Sequence, residues 1–358
     1  MKAAVCYEFK KPLVVEELDI DKPHRGEVKV RLAATAVCHS DIHFINGELG
    51  GKLPFVPGHE SAGYIEEVGE GVTSVKPGDA VVVSLLRSCG QCLYCKTGHP
   101  NLCEARWPLD TESRLRNRRG ESVAHGVRTA AFAEYTIVDK SQVVQVPRDM
   151  PMDRAALLAC GVITGFGAVV NRAQVKPLSS VVVIGIGGVG LNAIQGAAFS
   201  GAYPIIAVDM LDSKLKAART FGATHTVNAS TEKDPIEAVR QLTSGRGADY
   251  VIVTVGSTAA IRQGFSMSGR RGMTVIVGLA TESPSISPME FIDGEKILTG
   301  CFMGTTNLSL DVPKLVTLYQ GGHLKLDELI TARYPLEQIN KAIESVVKGE
   351  ALRNVIIF

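Results

Sequence analysis

Four apolar runs without polar alternation dominate the second half of this 358-residue chain: VVVIG (181–185), PIIAVD (204–209), YVIVTVG (250–256) and MTVIVG (273–278). Between them lie the helix-like segments LNAIQGAAFSG, SKLKAARTFGA and DPIEAVRQLTS. Strands apolar on both faces must be covered on both faces, and crossover helices between them predict a doubly wound α/β fold with a parallel sheet. Gly185-Ile186-Gly187-Gly188-Val189-Gly190 ends the first run and opens the first helix. Glycines there permit a tight turn and close approach of the backbone to a pyrophosphate, while the helix N-terminus supplies donors and positive potential. Asp209 ends the second run, where a carboxylate accepts ribose hydroxyls and repels a 2′-phosphate, so NAD is expected over NADP. Lys214 could reach the same ribose; a solvated helix position is its alternative.

The first 90 residues read differently, as short alternating strands broken by glycine and proline, with Lys76-Pro77-Gly78-Asp79 a turn feeding Ala80-Val81-Val82-Val83. Cys89, Cys92, Cys95 and Cys103 follow in SCGQCLYCKTGHPNLC, half of the chain's eight cysteines. Spacings of two, two and seven residues suit a tetrahedral thiolate site for zinc. An iron–sulfur cluster also uses closely spaced cysteines, but the long last spacing and the absence of a following proline disfavour it. A polar stretch with Arg114, Arg116, Arg118 and Arg119 leads back to strand signals at 132–138. The expected domains are 1–161, mainly β with a metal lobe at about 85–115; 162–303, dinucleotide-binding; and a tail, 304–358, returning to the first.

A hydrophobic share of 45% and a charged share of 21% are those of a globular chain, and a net charge of +1 gives no footprint for nucleic acid or anionic membrane. The start, MKAAVCYEFKKPLVVEELD, has no signal-peptide h-region, and no uninterrupted apolar run reaches the roughly 18 to 20 residues of a membrane span. A reducing, cytoplasmic compartment is therefore expected, where clustered thiols hold metals more often than they form disulfides.

Three further residues gain meaning together. Cys38 stands in AVCHSDIH, His59 in PGHESAG and Cys160 in LACGVITG. Each alone is unremarkable, but a Cys₂His set is the three-ligand arrangement that leaves zinc a fourth, open position. Here the chain resembles the zinc-dependent alcohol dehydrogenases of the medium-chain dehydrogenase/reductase superfamily, over essentially its whole length. GHESAGYIEEVGEGV fits that family's zinc signature, and the motifs run in the family's order: cysteine, GHE, four-cysteine lobe, second cysteine, GxGGxG, acidic strand end.

The resemblance implies a GroES-like catalytic domain around a Rossmann domain, with the active site in the cleft between them. It implies Cys38, His59 and Cys160 as catalytic zinc ligands, Glu60 beside the metal, and Asp41 orienting His59. Ser40 would accept the alcohol proton and His43 would end a relay through the nicotinamide ribose. His39 and Arg353 would contact the pyrophosphate, with Gly185, Gly187, Gly188, Val189 and Gly190 around it. Thr164 and Val277 would hold the nicotinamide. Two Zn²⁺ per subunit, NAD, a small alcohol with its aldehyde or ketone, and a homodimer, with a homotetramer as the alternative, complete the expectation. Thiol-adduct (formaldehyde) and polyol dehydrogenases share these motifs and stay open. The arginines at 114–119 are candidates for an anionic adduct, with a solvated loop the blander reading. Trp107 and Leu109 suit either a cleft mouth or simple packing, and Leu85 an apolar pocket wall. His24, His99, His125, His225 and His323 match no ligand pattern, and Cys6 and Cys301 read as buried thiols.

Overall fold

The computed structural model describes residues 1–280 and 282–358. The chain forms two compact units, one of Met1–Cys160, Asn307–Gly322 and Leu326–Phe358, the other of Gly161–Thr306 and His323–Lys325.

In the second unit the apolar runs become the centre of a six-stranded parallel sheet. Its order is His225–Asn228, Ile205–Asp209, Val181–Ile184, Ala248–Val253, Ser268–Ile276, Ile297–Gly300, or 3-2-1-4-5-6 counted along the chain. That is the dinucleotide-binding order, with the switch point beside the first strand. Val181, Val182 and Val183 are wholly buried, which explains their lack of alternation. The two outer strands, HTVN and ILTG, left no apolar run in the sequence because an edge strand is only partly covered.

The first unit carries two sheets. Strand Glu27–Ala36 is the hub of the larger, pairing with Glu60–Val68, Tyr135–Asp139 and the C-terminal strand Arg353–Ile357. Val28, Val30, Leu32, Ile65, Val81 and Val83 form its core. The tail thus closes the sheet that the N-terminal part begins. A helical stretch, Met152–Ala173, is long and apolar enough by length and composition to cross a membrane, but 89% of its apolar window is buried within the protein, and Asp153, Arg154 and Arg172 interrupt it.

Candidate metal centre and cofactor site

Sheet register brings the first set of site residues together. Ala36, at the end of its strand, lies opposite Glu60 on one side and Val355 on the other. Cys38, His59 and Arg353 are each within two residues of that junction, so they converge at one end of the sheet. Cys160 arrives from another direction. It lies in a π-helical turn, Leu158–Val162, and Ser84 Oγ donates to Ala159 O at 2.7 Å, tying that turn to the neighbouring strand. Such wide turns recur at functional sites because they re-aim a side chain without ending a helix. One ligand atom each from Cys38, His59, Glu60 and Cys160 lies within 4.8 Å of every other, and all four residues are buried.

Asp41 organises this set. Its carboxylate accepts from Cys38 N–H and Gly58 N–H, both at 3.1 Å, and from His59 Nδ1 at 2.7 Å. A carboxylate only accepts, so the imidazole carries its proton on Nδ1 and turns Nε2 toward the sulfurs. His59 Nε2 is buried without a hydrogen-bond partner. Burial lowers the proton affinity of His59, yet the charge and hydrogen bond of Asp41 hold it well above the usual histidine range. Gly58 is required beside it: at φ +94° a Cβ would lie 2.6 Å from the backbone N of Phe132. Thr129 Oγ1 fastens the same glycine by donating to its carbonyl at 2.6 Å.

Glu60 is wholly buried and faces Arg353, whose Nη2 donates to both carboxylate oxygens at 2.7 Å. Burial pushes the Glu60 carboxyl up to about 8, against the opposing pull of Arg353. Arg353, expected at a pyrophosphate, is thus 5% exposed and engaged by Glu60, with Nη1 donating to Val37 O at 3.4 Å. Ser40 Oγ lies 3.8 Å from Cys38 Sγ. His39 is exposed at the start of the helix His39–Ile45, and His43 is in its last turn.

The second cluster, Cys89, Cys92, Cys95 and Cys103, likewise brings its sulfurs within 4.8 Å of one another. Backbone amides of Cys92 and Gln91 donate to Cys89 Sγ at 3.3 and 3.4 Å, and that of Cys89 to Cys103 Sγ at 3.3 Å. Amides of Cys95 and Glu104 pull the Cys92 thiol down to about 6. The lobe has no apolar core: Leu93 is 66% exposed and Leu102 45%.

In the second unit, Gly190 fits only as glycine, since a Cβ would lie 2.0 Å from Gly185 O. Gly187 caps the helix Gly188–Phe199 without a side chain, and the space over it is open. Asp209 accepts from Ile186 N–H at 2.6 Å, Met210 N–H at 2.8 Å and Leu211 N–H at 3.0 Å, which fixes its carboxylate against the glycine turn. Lys214 is half-buried in the first turn of the next helix. Thr164 Oγ1 points at Met303 Sδ, 3.7 Å away, and Val277 follows the fifth strand, its N–H donating to Val253 O at 2.8 Å.

Both donor sets fit zinc. Two thiolates and an oriented imidazole with an orphaned nitrogen make an open site, and four thiolates a closed one. The open glycine turn and the neighbouring carboxylate fit a dinucleotide.

Other residues are occupied structurally. Arg114 is buried in a two-pronged pair with Glu27, Arg118 pairs with Glu17 and Arg119 with Glu121. Trp107 lies against Arg87 and Leu109 is buried, so both pack. Cys6 and Cys301 are buried, and Leu85 is half-buried. Sequence reasoning missed Glu48, which meets His43, and the left-handed turn Met303-Gly304-Thr305, with φ of 50°, 68° and 49°. A β-branched residue at such φ costs about 1–3 kcal/mol, and only the glycine gave a signal for it.

Residues 24–148 match the family of alcohol dehydrogenase GroES-like domains, and residues 188–320 the zinc-binding dehydrogenases. The chain is 39% identical to an NDMA-dependent alcohol dehydrogenase of Amycolatopsis methanolica, over 99% of this chain and 98% of that one. It is 38% identical to alcohol dehydrogenase 1 of Pisum sativum, over 99% and 96%. The crystal structure of benzyl alcohol dehydrogenase from Acinetobacter calcoaceticus superposes with a TM-score of 0.92 at 32% identity, over 100% of this chain and 99% of that one. With its two thiolate sites and its dinucleotide fold, the chain belongs to the zinc-type alcohol dehydrogenases of the medium-chain dehydrogenase/reductase superfamily.

Proposed function

We propose that the protein is a cytoplasmic, homodimeric, NAD-linked enzyme with two zinc ions per subunit, one catalytic and one structural, that interconverts an alcohol with its aldehyde or ketone. The observation that carries this reading is the buried set Cys38, His59 and Cys160, with Asp41 turning the partnerless Nε2 of His59 toward the two sulfurs. When bound there, zinc supplies Lewis acidity that makes an alcohol hydroxyl easier to deprotonate, and NAD supplies the hydride acceptor.

The chain's own residues do the rest. Cys38, His59 and Cys160 hold the metal, and Asp41 fixes the imidazole for it. Glu60 is a reserve carboxylate that approaches the metal transiently, and Arg353 restrains it while also serving the pyrophosphate together with His39. Ser40 receives the alcohol proton at Oγ, and His43 holds it at a ring nitrogen before release to solvent. Gly185, Gly187, Gly188, Val189 and Gly190 cradle the pyrophosphate, Asp209 and Lys214 bind the adenosine ribose, and Thr164 and Val277 hold the nicotinamide. Cys89, Cys92, Cys95 and Cys103 brace their lobe around the second metal.

Leu85 favours an apolar substrate. The thiol-adduct reading is weakened in the arginine stretch, because three of its four arginines, Arg114, Arg118 and Arg119, are paired with carboxylates. Replacing Cys38 or His59 by alanine is expected to lower NAD-linked alcohol oxidation at least 10³-fold in protein that keeps wild-type circular dichroism. Retained activity in such folded variants would overturn the proposal. Aliphatic and benzylic alcohols are the substrates to assay, and NDMA, named for one relative, is a useful second acceptor.

A further inference from the structure

The helix His39–Ile45, capped by Cys38, carries Ser40, Asp41 and, in its last turn, His43, and the chain then curls back over it. Glu48 N–H donates to His43 O at 3.0 Å, closing the turn. This places Glu48 Oε2 2.5 Å from His43 Nδ1, while Glu48 Oε1 accepts from Asn46 Nδ2 at 3.0 Å. Both carboxylate oxygens are therefore engaged by neighbours on one side, although the side chains of His43 and Glu48 are 33% and 41% exposed. No sequence signal marked Glu48, because the contact depends on the turn and not on a motif.

We propose that Glu48 is a positioning residue for His43, fixing its tautomer and setting the pH at which it accepts a proton. The inference rests on the reading of His43 as the end of the proton relay. An ionised carboxylate has no proton to donate, so the short contact requires Nδ1–H in the neutral and the charged ring alike. The lone pair that gains and loses a proton is then always on Nε2. When Nε2 takes a proton, the His43–Glu48 pair goes from a net charge of −1 to zero. When it releases that proton to solvent, the pair returns to −1. Glu48 keeps its own charge throughout, as an orienting carboxylate beside a catalytic imidazole does.

The hydrogen bond from His43, then that from Asn46, holds the Glu48 carboxyl below the usual glutamate range, with a smaller contribution in the same direction from Lys10. Among the elements packed against the helix are Gly126–Arg128 and Ile339–Val347, and the loop at Lys10 meets its last turn, Lys10 N–H donating to Ile45 O at 3.0 Å. The charged residues of those two elements are Arg128, Lys341 and Glu344, and Glu344 is engaged by Lys348 at 2.7 Å. Among the described residues, the one carboxylate in ion-pair contact with His43 is Glu48.

The test is the pH profile of alcohol oxidation in four proteins: wild type, Glu48→Gln, His43→Gln and the double variant, each checked for zinc content. Glu48→Gln keeps the shape and removes the charge that favours the imidazolium. Its profile is expected to move to lower pH, while the same change in the His43→Gln background moves nothing. The ¹⁵N shifts of His43 should report Nδ1–H in the neutral wild-type ring and a mixture of tautomers in Glu48→Gln. A wild-type profile in Glu48→Gln beside an altered one in His43→Gln would overturn the proposal and leave the relay standing. An equal shift from Glu48→Gln in both backgrounds would also overturn it, as a field effect independent of His43. A wild-type profile in His43→Gln would overturn the relay itself.

Discussion

At the scale of single residues, the decisive groups are those with few alternatives. Gly58 and Gly190 stand where a Cβ would meet backbone at 2.6 and 2.0 Å, so neither position accepts a larger residue without moving the backbone it faces. Asp209 has a different kind of constraint. Three backbone amides hold its carboxylate beside the glycine turn, so its charge cannot swing away from an incoming ribose. Asp209→Asn keeps one amide-accepting oxygen and removes the charge. We expect the ratio of kcat/KM with NADP to that with NAD to rise tenfold to a hundredfold, about 1.4 to 2.7 kcal/mol of relieved repulsion. Steady-state kinetics with both cofactors check this, and an unchanged ratio would remove Asp209 as the selector. The glycines, the aspartate and the clustered cysteines were legible in the sequence because their chemistry admits so few substitutes. Glu48 and the Glu60–Arg353 pair were not, since a glutamate and an arginine 293 positions apart announce nothing until a sheet brings them together.

At the scale of elements, the two thiolate clusters are built in opposite ways. Cys38 and His59 hang from the ends of buried strands whose register would place them side by side even without a metal. The lobe of Cys89 to Cys103 has one short helix, Leu93–Lys96, one 3₁₀ turn, Pro100–Leu102, and exposed apolar side chains. Under the proposed two-zinc reading its order would come from an ion, because a segment that buries so little apolar surface cannot offset the entropy of being fixed. Cys103→Ser is therefore expected to lower zinc content from two to one per chain and to expose residues 89–103 to limited proteolysis, leaving the Cys38–His59–Cys160 zinc in place. Mass spectrometry of the intact protein and of the digest reads both outcomes. Two retained zinc ions would show that three cysteines suffice. The sequence located this lobe without ambiguity, but the edge strands His225–Asn228 and Ile297–Gly300 escaped it, because partial burial erases the apolar run that marks a central strand.

For the whole molecule, the response to acid follows from a group no motif involves. His125 Nε2 accepts the backbone N–H of Arg114 at 3.4 Å, and its Nδ1 is shut off from solvent. Burial first, then the Arg87 and Arg114 charges, push this histidine down to about 4. Between that value and the ordinary 6.5 the unfolded chain binds a proton that the folded one refuses, so stability is intact above pH 6.5 and falls as pH drops toward 4. The full loss is about 3 kcal/mol, less whatever screening the half-buried ring receives. Chemical denaturation at pH 7 and pH 5 should show a smaller difference for His125→Gln than for wild type, and equal differences would refute this. The sequence by itself determined the parallel sheet, the dinucleotide turn, the residues of the two candidate metal clusters and the family, because those rest on local periodicity and on residue types with almost no chemical substitutes. Only the tertiary structure decided that Arg353 engages Glu60, that the arginines at 114–119 are largely neutralised, and that His43 leans on Glu48. Each is a pairing between residues common everywhere in proteins, and what sets such a pairing is the register of strands and the path of turns.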